Sequence, residues 1–134
     1  MIGIDTNVLI RYLTQDEPRQ AAAATRLIEQ RLSAEQPGFL SCVVLAEVCR
    51  VLRSLYGVEQ DEVATMLSDL ANVPSFLIES RDSVLKAIAR IRTHRAECAD
   101  SLIQELASAA GCSATYTFDR GAARSSGMTL LSFA

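Results

Sequence analysis

The chain has no tryptophan, a single lysine, a single histidine and no Cys-x-x-Cys pair, and each shortage closes a route. His94 and the four scattered cysteines do not supply the nitrogen and sulfur donors of a structural zinc site. No serine or cysteine has a histidine next to it to serve as its base, so nothing supports a nucleophilic hydrolase of the Ser-His or Cys-His kind. His94 itself lies in the polar run Arg92-Thr93-His94-Arg95, where a surface position is expected. No apolar run approaches the roughly 20 residues of a membrane span. Ile2 already belongs to a strand with no basic segment before it, so a cleaved secretion signal is not expected either and the expected compartment is the cytoplasm. Cys42 and Cys49, seven residues apart among Val and Leu, are expected to be buried thiols on one helical face, in keeping with that compartment. A basic surplus is also missing: the net charge is -3, against the usual footprint of phosphate binding. Twelve of the thirteen basic residues are nevertheless Arg, whose planar fork matches phosphate and stacks on bases.

What is present suits one globular unit. The 134 residues are 49% hydrophobic and 22% charged, enough for a sizeable core, and the expected organisation is one domain over residues 1–134 with no linker, repeat or low-complexity segment. Short apolar runs alternate with helical periodicity. Strands are expected at Ile2 to Asp5, Phe39-Leu40, Pro74 to Glu79, Thr115 to Phe118 and Met128 to Leu131. Helices are expected from just past Asp5 to Thr14, from Asp16-Glu17-Pro18 to Leu32, from Cys42 to Tyr56 behind a Ser41 cap, and from Asp61 to Asn72, the last two forming a hairpin. Two more are expected: one capped by Asp82 and carrying Val84, Leu85, Ile88 and Ile91, and one opened by Asp100 and stopped at Gly111. Such alternation gives an α/β fold whose mainly parallel sheet is covered on both faces.

Four acids occupy the places where such a fold gathers its ligands. Asp5 and Asp119 end strands, Asp100 opens a helix and Glu47 interrupts an apolar helical stretch; ligands collect just beyond the strand ends of an open parallel sheet. Two carboxylates about 5 Å apart repel by roughly 3 kcal/mol at an effective dielectric near 20, so four together protonate or recruit a divalent cation. Asp5, Asp100 and Asp119 also suit helix capping, a task Asn performs equally well. Glu47 has Val43, Val44, Val48 and Val51 around it, and an ionised carboxylate on an apolar stripe needs an ion pair, for which Arg50 is placed, a raised pKa, or a metal.

The ordered set Ile4-Asp5-Thr6-Asn7-Val8-Leu9, Leu45-Ala46-Glu47-Val48, Ala99-Asp100-Ser101-Leu102-Ile103 and Thr117-Phe118-Asp119-Arg120 resembles the PIN-domain ribonucleases, and especially the VapC-like toxins of toxin–antitoxin pairs. The resemblance implies a three-layer α/β/α sandwich with a mainly parallel five-stranded sheet. It implies that Asp5, Glu47, Asp100 and Asp119 bind Mg²⁺ or Mn²⁺, with Thr6, Asn7 and Thr117 as supporting polar residues, and that activated water cleaves RNA to leave 5′-phosphate and 3′-hydroxyl ends. Glu97 suits an acid that the family often carries before its third carboxylate, outside the core set. Arg11, Arg120 and Arg124, near the strand ends, are candidate grips for flanking phosphates. A homodimer and a small antitoxin whose C-terminal segment crosses the groove are also implied, with the helix pair Cys42 to Asn72 as the candidate partner surface.

Other carboxylate-centred folds match less well. A receiver domain wants paired acids after its first strand and a late Lys, whereas this chain has Asp5-Thr6-Asn7 and only Lys86; a haloacid-dehalogenase-type phosphatase wants an acid where Asn7 stands. The alternative that keeps all four acids is a non-catalytic, nuclease-like module that holds a basic peptide or a cation in an acidic groove.

Overall fold

A computed structural model describes residues 1–133. In chain order its elements are β1 (Ile2–Gly3), α1 (Thr6–Thr14), α2 (Pro18–Arg26) running into a π-helical turn (Leu27–Arg31), β2 (Gly38–Leu40), α3 (Cys42–Ser54), α4 (Gln60–Ala71), β3 (Phe76–Ile78), α5 (Arg81–His94), α6 (Cys98–Ala109), β4 (Tyr116–Thr117), α7 (Arg120–Ser125) and β5 (Thr129–Leu130). Every strand pair is parallel, and the architecture is the expected α/β sandwich. The five strands fall into two sheets, β1-β2-β3 and β4-β5. Ile2 stands opposite Gly38, Gly38 opposite Phe76, and Tyr116 opposite Thr129.

β1 and β4 are shorter than their apolar runs, and each gives way to a helix whose start a side chain caps. Asp5 accepts the Thr6 amide at 2.8 Å, Ser41 accepts the Val44 amide at 3.1 Å, and Asp119 accepts the Gly121 amide at 2.7 Å and the Ala122 amide at 3.1 Å. Each satisfies backbone N–H groups that a helix start leaves unpaired. Pro18 occupies the first turn of α2, where its missing N–H costs nothing. Two other helix starts differ from expectation. Ser80, in the left-handed region at φ 51°, stands at the N-cap position of α5 without a side-chain capping bond and leaves Asp82 in its first turn; α6 begins at Cys98, so Asp100 lies inside the first turn. Arg95, also left-handed at φ 55°, ends α5 and turns the chain directly into α6.

One hydrophobic core joins the elements. Leu45, Val48 and Leu52 of α3 meet Val63, Leu67 and Leu70 of α4, Val84, Ile88 and Ile91 of α5, and Leu102 of α6. The helices of the expected α3–α4 hairpin touch one another less than they touch other helices: α4 packs mainly on α5, and α3 on α1 and α6. Gly38 marks the tightest approach. A Cβ there would lie 2.7 Å from Leu32 Cδ1 and 3.2 Å from both Ile4 Cγ1 and Phe76 Cδ1. Gly38→Ala is therefore expected to cost about 1–3 kcal/mol of stability, read from the midpoint of urea unfolding.

Candidate active site

The first group of acids is assembled by the turn from β1 into α1. Asp5 is exposed at the cap, while the next residue, Thr6, is buried and donates its hydroxyl to Glu47 Oε1 at 3.0 Å. One short segment thus presents one carboxylate and orients a second from α3. Glu47 corrects the expectation of an apolar setting: it is exposed, as is Val43, one turn earlier at 70% accessibility. The buried face of α3 is instead Cys42, Leu45, Val48, Cys49 and Leu52. A helix wheel puts residues 43, 47 and 50 outward together, so burial gives Glu47 no need of an ion-pair partner. Among the described residues Arg50 makes no ion pair, and its charge acts on Asp100.

The second group joins α6 to the β4–α7 turn. Asp100 is half-buried; burial pushes its carboxyl pKa up, the charges of Asp119 and then Glu97 push it further, and Arg50 opposes them. Asp119 is held by its own cap and by its backbone amide, which donates to Thr117 Oγ1 at 3.0 Å. Asp100 and Asp119 line a cleft of about 200 Å³ together with Gln60, Glu97, Gly121 and Ser125. Glu97 is clamped there by two donors of Arg53, at 3.1 and 2.8 Å, and by Gln60 at 2.8 Å. The Arg53 bonds above all hold its carboxyl below the ordinary range. Sequence reasoning misses this clamp, since Arg53, Gln60 and Glu97 share no local motif.

Helix α3 relates the two groups, because it carries Glu47 and packs on both α1 and α6. Cys49 and Cys98, each two residues from one of these acids, are joined as a disulfide with Cα atoms 5.7 Å apart. The expectation of free thiols thus holds for buried Cys42 and not for Cys49. Among the described residues no three His, Cys, Asp or Glu side chains converge closely enough to cage an ion. The donor set nevertheless fits a divalent cation: the four groups are carboxylates, the oxygen ligands hard cations prefer, and Asp100 resists ionisation in a way that a neighbouring dication would reverse.

The remaining candidates divide. Asn7 is exposed beside Asp5. Arg11 is engaged by Gln20 at 2.7 Å, by Asp16 at 3.3 Å and by the Tyr56 hydroxyl at 3.2 Å. Arg120 and Arg124 are exposed and make no ion pair among the described residues. His94 is exposed at the end of α5, its Nδ1 2.7 Å from the Thr93 hydroxyl.

Compared with known families, the chain matches the PIN domain over residues 2–127. No curated protein matches it.

Proposed function

Because the chain belongs to the PIN-domain family, whose members are generally nucleases, we propose that it is a metal-dependent endoribonuclease in which Asp5, Glu47, Asp100 and Asp119 hold Mg²⁺ or Mn²⁺. The observation that carries this reading is the Thr6–Glu47 hydrogen bond at 3.0 Å, which ties the Asp5 turn to α3 and orients an exposed carboxylate. Bound by these acids, the cation would supply Lewis acidity, activating water for attack on the scissile phosphate and offsetting charge on the leaving oxygen. The chain's own residues prepare the place. Thr6 orients Glu47, Thr117 fixes the Asp119 turn, and the first turn of α6 presents Asp100. Asn7 completes the supporting set, and Arg11, Arg120 and Arg124 are proposed grips for flanking phosphates. A protein nucleophile is not required.

We place the enzyme as the toxin of a cytoplasmic toxin–antitoxin pair, a homodimer whose antitoxin lays a basic side chain in the acidic groove. The four ordered motifs support this finer assignment. No helix of the described residues is long and apolar enough to cross a membrane. Incubating the purified protein with RNA, with Mg²⁺ or Mn²⁺ and then with a chelator, tests the activity. Cleavage confined to the metal-containing reactions, with 5′-phosphate ends, is the expected result. No cleavage at all would favour the non-catalytic acidic module, and metal-independent cleavage would overturn the metal-dependent mechanism.

A graded effect is expected at Thr6. Thr6→Val keeps the shape and removes the donor to Glu47, so cleavage should fall about 10–100-fold, the usual cost of losing a residue that orients a metal ligand. Added Mn²⁺ should restore part of it in the same assay.

A further inference from the structure

Arginine is almost the only cation in this chain, and two arginines face the cleft between α3 and α6. That cleft, about 350 Å³, is lined by Arg50, Arg53 and Ser54 from α3 and by Glu97 and Ala99 from the α6 side. It shares Glu97 with the smaller cleft that holds Asp100 and Asp119, so the two open beside one another. The two arginines differ in what occupies them. Arg53 spends Nε and Nη2 on Glu97 and donates Nη1 to the Val58 carbonyl at 3.0 Å. Arg50 is exposed, and among the described residues its guanidinium makes no hydrogen bond or ion pair. It follows Glu47 by three residues on the outward face of α3, and it lies close enough to Asp100 for their charges to interact.

We propose that Arg50 is a substrate-positioning residue, whose guanidinium at the α3–α6 cleft grips an RNA backbone phosphate beside the four carboxylates. This deepens the ribonuclease reading and rests on it for the identity of the substrate. Acids that attract a dication repel a polyanion, and the chain's net charge of -3 adds to that repulsion. A free cation fixed on the helix that carries Glu47 offsets this locally. The guanidinium fork can engage two phosphate oxygens at once, which sets the register of the strand as well as its affinity. The Arg53–Glu97 clamp has a part too: it removes Glu97 as a competitor for Arg50.

The test compares wild type, Arg50→Gln and Arg50→Lys in two assays. One is binding of a fluorescein-labelled single-stranded RNA oligonucleotide, read by anisotropy in EDTA over a series of salt concentrations. The other is steady-state cleavage with Mg²⁺. Arg50→Gln is expected to bind about tenfold more weakly, with the slope of log affinity against log salt reduced by about 0.7, the value of one single-strand phosphate contact. In cleavage KM should rise by a similar factor while kcat changes less than about threefold, and Arg50→Lys should recover part of the loss as a point charge without the fork. Unchanged binding and salt slope in Arg50→Gln would overturn the proposal. So would a fall in kcat with binding intact, since Arg50 would then be organising the carboxylates and not the RNA. If wild type fails to cleave and yet loses RNA affinity on Arg50→Gln, the hydrolase reading falls and the phosphate grip stands.

Discussion

Asp5→Asn is expected to reduce metal-dependent RNA cleavage by at least about a hundredfold while leaving the unfolding midpoint nearly unchanged. Supporting residues around a metal cost about 10–100-fold when removed, and a direct ligand should cost no less. The substitution separates the two tasks that this side chain can perform. In the structure Asp5 accepts the Thr6 amide at 2.8 Å, and the Asn side-chain oxygen can accept the same bond, so the cap on α1 survives. What is lost is the charge. Circular dichroism and thermal unfolding, run beside the cleavage assay, decide between the tasks: a variant that is folded and active would return Asp5 to capping alone.

Asp100→Asn should also abolish cleavage, yet make the metal-free protein more stable at neutral pH. The sign follows from the environment. Burial first, and the charges of Asp119 and Glu97 next, raise the Asp100 pKa above its ordinary 3.8. A carboxyl whose folded-state pKa is raised binds its proton more tightly in the native protein than in the unfolded chain. Its contribution to stability is therefore full below 3.8 and is lost as pH rises through the raised value. At neutral pH the native state carries an anion it does not favour, and Asn removes that anion at similar volume. In EDTA the difference in unfolding midpoint between variant and wild type should grow as pH is raised from about 4 towards 7. Saturating Mg²⁺ should reverse the order: a ligand at a hundred times its Kd stabilises by about 2.7 kcal/mol, and only the wild type keeps all four carboxylates to bind it. A midpoint for Asp100→Asn that falls in EDTA, or that responds to Mg²⁺ as wild type does, would place Asp100 outside the metal site.

These expectations rest on features of unequal visibility in the sequence. Asp5 and Asp119 are legible as carboxylates at strand ends followed by helices, because capping and strand termination are local and obey short spacing rules. Ser41 and Pro18 are legible for the same reason. Glu47 stands out in the sequence for a reason that the fold does not share: its valine neighbours suggest burial, but Val43 faces water with it, and which side of an apolar helix turns inward depends on what packs there. Asp100 reads as a helix start although α6 begins two residues earlier, since Cys98 and Ala99 are small apolar residues that local patterning does not assign. The pairing of Cys49 with Cys98, 49 residues apart, has no sequence signature. Nor has the clamp of Arg53 and Gln60 on Glu97, which is assembled from α3, α4 and the turn into α6.

The sequence by itself determined the alternation of strands and helices, the family, and which acids stand at the ends of elements, because each depends on periodicity or on hydrogen bonds made within a few residues. Tertiary structure alone decided that the five strands divide into two sheets, that Glu47 is met by Thr6, that Asp100 feels Asp119, and that, among the described residues, Arg53 is occupied while Arg50 makes no ion pair. Those are encounters between side chains far apart in the chain, and only the packing of α3 against α1 and α6 sets which charges come near one another.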